Sequence, residues 1–184
     1  MASQGARNVA NGKAYERKIV NALNDKGGVF KFRRRIVTGH SASIIDVESV
    51  GDIISVNGTL RFVLEMKNQK GFSLEAMLTS GEKTLFFKWW SQCLRDMKLS
   101  KNSDLEPLVF FTSRTTNMVA MSDVGFSRLF TQPVTFLSTN SFPSYTGNVI
   151  MMTLNEFLSK CEVDALCVQP HNGAPCAANQ PLEP

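Results

Sequence analysis

The sequence predicts an α/β domain in which helices flank a mixed central β-sheet. Three observations support this fold class: apolar residues recur at helical spacing after Gly12, short strand-like segments follow, and a second apolar helix precedes further strands. The 184 residues have the length of one domain. A content of 43% hydrophobic and 20% charged residues is typical of globular proteins and excludes a collagen-like or wholly disordered chain.

The first predicted element is a helix that runs from Gly12 to the glycine pair Gly27-Gly28. Asn11 could cap its start, and the glycines end it. We expect residues 1–11 to form a flexible basic arm. The apolar stripe of the helix consists of Tyr15, Ile19, Val20 and Leu23.

A group of strands is expected next. Residues 29–37 have a strand pattern, residues 38–49 form a polar loop, and residues 51–56 form a second strand. Asn57-Gly58 is a strong hairpin signal, so residues 59–67 are predicted to return antiparallel to the second strand. This pairing would place the start of one strand beside the end of the other.

The second half of the chain alternates again. Residues 81–99 predict a helix with a wide apolar face, in which Trp89 and Trp90 are expected in the core or at a dimer interface rather than stacked on a base. Further strands are predicted at 108–112, 117–121, 134–137 and 148–152, followed by a short helix at 154–160.

The folded domain is expected to span residues 12–161. From residue 162 the composition changes to Pro, Ala, Asn and Gln, which predicts a disordered tail over residues 162–184. Four cysteines fit reduced thiols in a cytosol-like compartment. Zinc ligands could come from the tail, but the spacing lacks a CxxC pair and disorder is favoured; the candidate ligands are Cys161, Cys167, His171 and Cys176.

Charge is distributed unevenly along the chain. Residues 1–35 hold nine Lys or Arg against two acids, a balance of +7, and residues 36–184 hold eleven against fourteen, a balance of −3. A basic N-terminal region predicts a polyanionic partner such as nucleic acid, and a solvated basic surface is the alternative. The apolar runs are too short to span a membrane, and the first residues hold no apolar signal segment, so we expect a protein that is not secreted.

The residues that point to chemistry are Asp52, Glu65 and Lys67. Glu65 and Lys67 are two apart on a strand and share a face, and the expected hairpin brings Asp52 to them. Two carboxylates and the backbone carbonyl of Met66 are oxygen ligands of the kind that Mg²⁺ prefers, and the ion could activate a water against a phosphate. Lys67 would hold that water or the phosphate oxygens. The alternative is a surface ion pair between Glu65 and Lys67.

The same residues resemble the PD-(D/E)XK nuclease superfamily, and within it the archaeal and phage-type Holliday-junction resolvases. The resemblance covers about residues 11–75. Its motifs are Gly12-Lys13-Ala14-Tyr15-Glu16-Arg17-Lys18-Ile19-Val20, the basic strand Arg33-Arg34-Arg35, the serine-containing loop from Gly39 to Ser43, Gly51-Asp52-Ile53-Ile54, and the tripeptide Glu65-Met66-Lys67.

This resemblance implies a restriction-endonuclease-like core and a metal-dependent site. Asp52 and Glu65 would bind Mg²⁺, for which Mn²⁺ could substitute, Lys67 would assist catalysis, and Glu16 would complete the acidic site. A homodimer that cuts two strands of branched DNA is also implied.

Two departures from the family pattern affect these assignments. Gly51 stands where the name-giving proline would be. The loop before it is longer than in the compact archaeal enzymes and leaves Asp46 as a rival to Asp52, which we prefer because it leads directly into an apolar strand. Ser41 and Ser43 remain alternatives for the serine role.

The predicted function is therefore a Mg²⁺-dependent endodeoxyribonuclease of the resolvase type, in a cytoplasmic or nucleoid-associated setting, or phage-encoded and acting in the host cytoplasm. The alternatives are a restriction, repair or flap nuclease on the same site, a non-catalytic DNA-binding module, and a structural protein. The candidate contacts to DNA are Lys13, Arg17, Arg33, Arg34, Arg35, Ser41 and Ser43.

Overall fold

The computed structural model describes residues 3–35, 50–69, 72–80, 85–100, 102–139 and 146–169. Within these ranges none of the helices is both long and apolar enough to span a membrane. The helices are α1 (Gln4–Asp25), α2 (Leu74–Ser80), α3 (Leu85–Leu99), α4 (Asp123–Leu129) and α5 (Leu154–Lys160). The strands are β1 (Phe32–Arg34), β2 (Ile53–Ser55), β3 (Thr59–Leu60), β4 (Phe62–Lys67), β5 (Glu106–Ser113), β6 (Thr116–Ser122), β7 (Leu137–Thr139), β8 (Val149–Thr153) and β9 (Cys167–Val168).

Five of these strands form the central sheet, in the order β4-β5-β6-β8-β7. β4 and β5 are parallel, and the other neighbouring pairs are antiparallel. Helices flank this mixed sheet, so the predicted fold class is confirmed, and the arrangement is compatible with a restriction-endonuclease-like core.

Both faces of β4, β5, β6 and β8 are covered, since successive side chains of a strand point to opposite faces and the apolar ones pack into different hydrophobic clusters. On β5, Phe110 packs into the cluster that contains the buried stripe of α1, whereas Phe111 packs into the cluster below α3. Trp89 and Trp90 belong to this second cluster, which confirms the core interpretation.

Helix α1 is longer than the sequence predicted. It begins at Gln4, after the N-cap Ser3, whose side chain accepts a hydrogen bond from the Ala6 amide. The prediction that Asn11 caps the helix and that residues 1–11 are a flexible arm is thus wrong for the part of the arm that is described. Gly27 follows the helix with φ +79°, as expected for a glycine that ends one.

The predicted hairpin between residues 51–56 and 59–67 does not form. β2 pairs with β1, β3 pairs with β9, and β4 pairs with β5. The turn itself is present, but Asn57 uses its side chain to bind the segment before β1: its Oδ1 accepts from the Lys31 amide and its Nδ2 donates to the Val29 carbonyl. The Asn57-Gly58 pair therefore indicates that the chain changes direction, but it does not indicate which strands pair with each other.

The expected disordered tail is also ordered at its start. A 3-10 helix, Val163–Leu166, leads into β9, and both Val163 and Leu166 are buried. Cys161 and Cys167 are buried free thiols, and burial raises their pKa values to about 12 and about 11. Among the described residues, neither thiol belongs to a group of three potential metal ligands. His171 and Cys176 lie outside the described residues.

Candidate active site

Asp52 is positioned by an unusual backbone at the residue before it. Gly51 has φ +88°, and a Cβ added there would lie 2.8 Å from the Leu64 carbonyl oxygen, so only glycine fits this approach to β4. The Asp52 amide then donates to the Leu64 carbonyl at 2.8 Å, and Asp52 Oδ2 accepts from the Met66 amide at 2.7 Å. The close contact of Asp52 with the end of β4 therefore exists without the predicted hairpin.

Glu65 and Lys67 lie on the same face of β4, as predicted, and this face packs against α3. Lys67 Nζ lies 2.5 Å from Glu65 Oε1, and the side chains are 20% and 3% exposed. A pair that is so well buried is not the surface ion pair of the alternative interpretation.

Gln92 of α3 completes this arrangement and was missed by the sequence analysis. Its Nε2 donates to Glu65 Oε1 at 2.8 Å, and its Oε1 accepts from Lys67 Nζ at 3.2 Å. The single side-chain amide of Gln92 thus holds both candidate catalytic residues of β4, Glu65 and Lys67, in position. The only signal in the sequence is a polar residue within the apolar face of a helix.

The carboxyl groups of Asp52 and Glu65 are close enough for the charge of Asp52 to act on Glu65. Burial raises the pKa of Glu65 to about 7, and the charge of Asp52 adds to this effect while Lys67 opposes it. Burial also raises the pKa of Asp52, against the Met66 amide and Lys67, and with a further contribution from Glu16. Concentrated negative charge that is costly to bury marks a candidate functional site.

Glu16 borders this acidic group from α1. Its Oε2 lies 2.5 Å from Arg34 Nε, and both side chains are 20% exposed. Arg34, which we had considered a phosphate contact, therefore holds Glu16 toward the site. The described structure thus brings Asp52, Glu65 and Lys67 together at the end of β4, and it places Glu16 near enough for its charge to act on Asp52.

A second residue of α3, the acid Asp96, was also missed. Asp96 lies one helical turn after Gln92, and its charge contributes to the raised pKa values of Asp52 and Glu65. Burial raises the pKa of Asp96 itself, opposed by Arg95, Lys67 and Arg35. The role of Asp96 could not be predicted from the sequence, because α3 and β4 are well separated along the chain and no motif links them.

Basic residues surround the acids on two elements. The Arg35 amide donates to the Asp52 carbonyl, which places the end of β1 beside the site, and Arg33 and Arg35 are half-buried. Lys13 and Arg17 are exposed on α1, the helix that carries Glu16. Ser41, Ser43 and Asp46 lie outside the described residues.

The donor set suits a hard divalent cation. Among the described residues no three acidic, histidine or cysteine side chains form a metal-binding group. Two carboxylates are nevertheless sufficient for Mg²⁺, which keeps several water ligands. The carbonyl of Met66 is a third oxygen: the N–H and C=O of one strand residue point to the same side, and the Met66 amide is directed at Asp52.

Comparison with known proteins gives one match. A family model described as "Phage putative PDDEXK endonuclease" matches residues 7–166, which is most of the chain. Neither the curated proteins nor the solved structures contain a match. The matched range includes every element that carries Glu16, Asp52, Glu65 and Lys67.

Proposed function

The chain belongs to the family of phage PDDEXK endonucleases, and from this premise we propose that it is a metal-dependent DNA endonuclease that cleaves branched DNA. The observation that carries the proposal is the convergence of Asp52, Glu65 and Lys67 at the end of β4, with both acidic pKa values raised. Family membership supports nuclease activity in general. The metal and the branched substrate are proposals.

Asp52, Glu65 and the Met66 carbonyl would hold a Mg²⁺ ion, with Glu16 as a further acidic neighbour. When bound, the ion supplies Lewis-acid chemistry at the scissile phosphate and activates a water. A cation there would also offset the repulsion between the two carboxylates.

Lys67 performs the part of the reaction that needs a fixed positive charge. Its ammonium is held by Glu65 and Gln92, so its position is set before substrate arrives. Such a preorganised cation orients the attacking water or a phosphate oxygen and stabilises the negative charge that develops in the transition state.

DNA binding would rest on phosphate contacts from cations around the acids. Lys13 and Arg17 are exposed on α1. Arg33 on β1 and Arg35 directly after this strand are half-buried, whereas Arg34 is engaged by Glu16. Phosphate contacts position the duplex without reading its sequence, which suits an enzyme that selects DNA by shape.

Cleavage of a four-way junction would require incisions on two strands, and the described residues form one acidic site. We therefore include a homodimer in the proposal, with two sites related by a twofold axis. Its mass in solution, measured by light scattering, tests this part. The family description fits a phage-encoded protein that acts in the host cytoplasm.

The experiment is a cleavage panel with Mg²⁺, Mn²⁺ or EDTA and four labelled substrates: junction, flap, duplex and single strand. Wild type should nick branched DNA only with a divalent ion. Asp52→Asn should be inactive, and Asp25→Asn, which alters an exposed aspartate at the end of α1, should match wild type. Cleavage by Asp52→Asn at the wild-type rate would refute the site, and preference for duplex would redirect the proposal to a restriction-type enzyme.

A further inference from the structure

A cavity of about 670 Å³ opens beside the catalytic lysine. One wall is formed by Arg7 and its neighbours on α1, and the other by Lys67 and the residues that follow β4. Its volume lies in the range of pockets that hold nucleotide-sized ligands. Because Lys67 itself is in the wall, whatever fills the cavity lies next to the reacting phosphate.

Half of the eight described residues that line the cavity carry primary amides. Two come from α1 and two from the chain immediately after Lys67, and all four residues are exposed. These residues are Asn8, Asn11, Asn68 and Gln69. A primary amide has both a donor and an acceptor, so it matches the edge of a nucleobase and, most favourably, the paired donor and acceptor of adenine.

The other lining groups agree with this chemistry. Arg7 is the cation at the α1 wall and is suited to a phosphate, and none of the described residues that line the cavity is acidic. Trp89 contributes an indole that is 6% exposed and is fixed against Phe72, with ring centroids 5.2 Å apart. A rigid apolar surface below hydrogen-bonding amides is the composition expected of a base pocket.

The two walls are joined, which favours a pre-formed pocket. Asn68 Nδ2 donates to the Asn11 carbonyl at 3.4 Å, so the segment after β4 is connected to the middle of α1. The helical start of α1 is essential here, because it is the part of the chain that supplies Arg7 and Asn8.

From this geometry we propose that the cavity binds one unpaired nucleobase of the DNA strand, flanking the scissile phosphate. The inference rests on the proposed nuclease function and specifies its substrate class. A base inside a duplex must be unstacked and unpaired before it can enter such a cavity, which costs free energy. A substrate with an unpaired nucleotide at the cut, as at a branch point, is therefore favoured.

Binding can be tested without catalysis. The probes are the four deoxynucleoside monophosphates and deoxyribose 5-phosphate, titrated into the full chain while the side-chain amide signals are followed by NMR. The bases should shift the signals of Asn11 and Gln69, with adenine affinity about tenfold above the weakest base, since one good base contact contributes about 1–3 kcal/mol. Asn11→Ala should weaken this binding without disturbing α1, because alanine favours a helix. The control is Gln132→Ala, which alters an exposed residue outside the cavity.

Cleavage provides the second readout. Branched substrates with a randomised unpaired position should yield cut ends enriched in one base, and an abasic position should be cut about tenfold more slowly, as expected from the loss of one base contact. Gln69→Ala should reduce the enrichment. Equal affinity for all bases and for deoxyribose 5-phosphate, together with unbiased cut ends, would overturn the pocket and leave the nuclease proposal intact. Base-dependent shifts in a protein that cuts no DNA would support the pocket and refute the nuclease function.

Discussion

Replacing Glu65 by Gln should stabilise the metal-free protein at alkaline pH. Burial and Asp52 raise the pKa of Glu65 from 4.5 to about 7, so the folded protein binds its proton more tightly than the unfolded chain does. Between these two values stability must fall as the pH rises, because deprotonation is easier in the unfolded state. Gln is nearly isosteric with the neutral acid and avoids this loss.

The expected size follows from the pKa change. A difference of about 2.5 pKa units corresponds to about 3 kcal/mol, and relaxation of the site and entry of water reduce this toward about 1 kcal/mol. At pH 4 both side chains are neutral and the two proteins should be equally stable. At pH 8 the free energy of unfolding of Glu65→Gln should exceed that of wild type by about 1–3 kcal/mol.

The assay is urea denaturation in EDTA at pH steps from 4 to 8, with the difference between the two proteins plotted against pH. Glu75→Gln is the control, since that side chain is 82% exposed and should change stability by less than about 0.5 kcal/mol at every pH. If the difference between wild type and Glu65→Gln stays constant across this range, the reasoning about the buried acidic pair is refuted.

Three further outcomes are expected. Adding Mg²⁺ at pH 8 should raise the unfolding midpoint of wild type and leave that of Asp52→Asn nearly unchanged, and equal shifts in both would contradict the assigned ligand. Arg33→Ala combined with Arg35→Ala should weaken binding to all DNA forms alike and flatten the salt dependence of affinity by about one unit per lost contact; sequence-selective loss would argue against phosphate contacts. Gln92→Met should lower kcat by about tenfold with little change in KM, as for loss of a positioning contact to Lys67, whereas an effect on KM alone would indicate a binding role.

The fold class could be predicted because its signals are local. The apolar stripe of α1, the apolar run of β5 and the helical face of α3 each reflect burial of one element, and all three are buried as expected. The partners of the strands could not be predicted in the same way. Asn57-Gly58 has the composition of a hairpin turn, yet β3 pairs with β9, which lies about a hundred residues further along the chain.

The acidic site was predicted in part for the correct local reason and in part for a wrong one. Glu65 and Lys67 share a face because of strand periodicity, which is read directly from the sequence. Asp52 reaches them through the backbone at Gly51 and a hydrogen bond to the Met66 amide, and no ladder is involved. Gln92 escaped notice because its role depends on how α3 crosses the sheet.

The cost of burying two carboxyl groups explains why the contacts of Asp52, Glu65 and Lys67 are concentrated around the end of β4. Asp52 and Glu65 both lose solvation, and the charge of Asp52 raises the pKa of Glu65 further. The folded protein therefore contains an electrostatic conflict where most domains bury apolar groups. Lys67 relieves only part of it, since the pKa of Glu65 remains about 7 with the ammonium in contact. A divalent cation would remove the repulsion that remains, and this would make binding of the cation more favourable. The instability of the metal-free site and its affinity for metal should therefore change together. A substitution such as Glu65→Gln, which stabilises the metal-free site, must also weaken the binding of the metal.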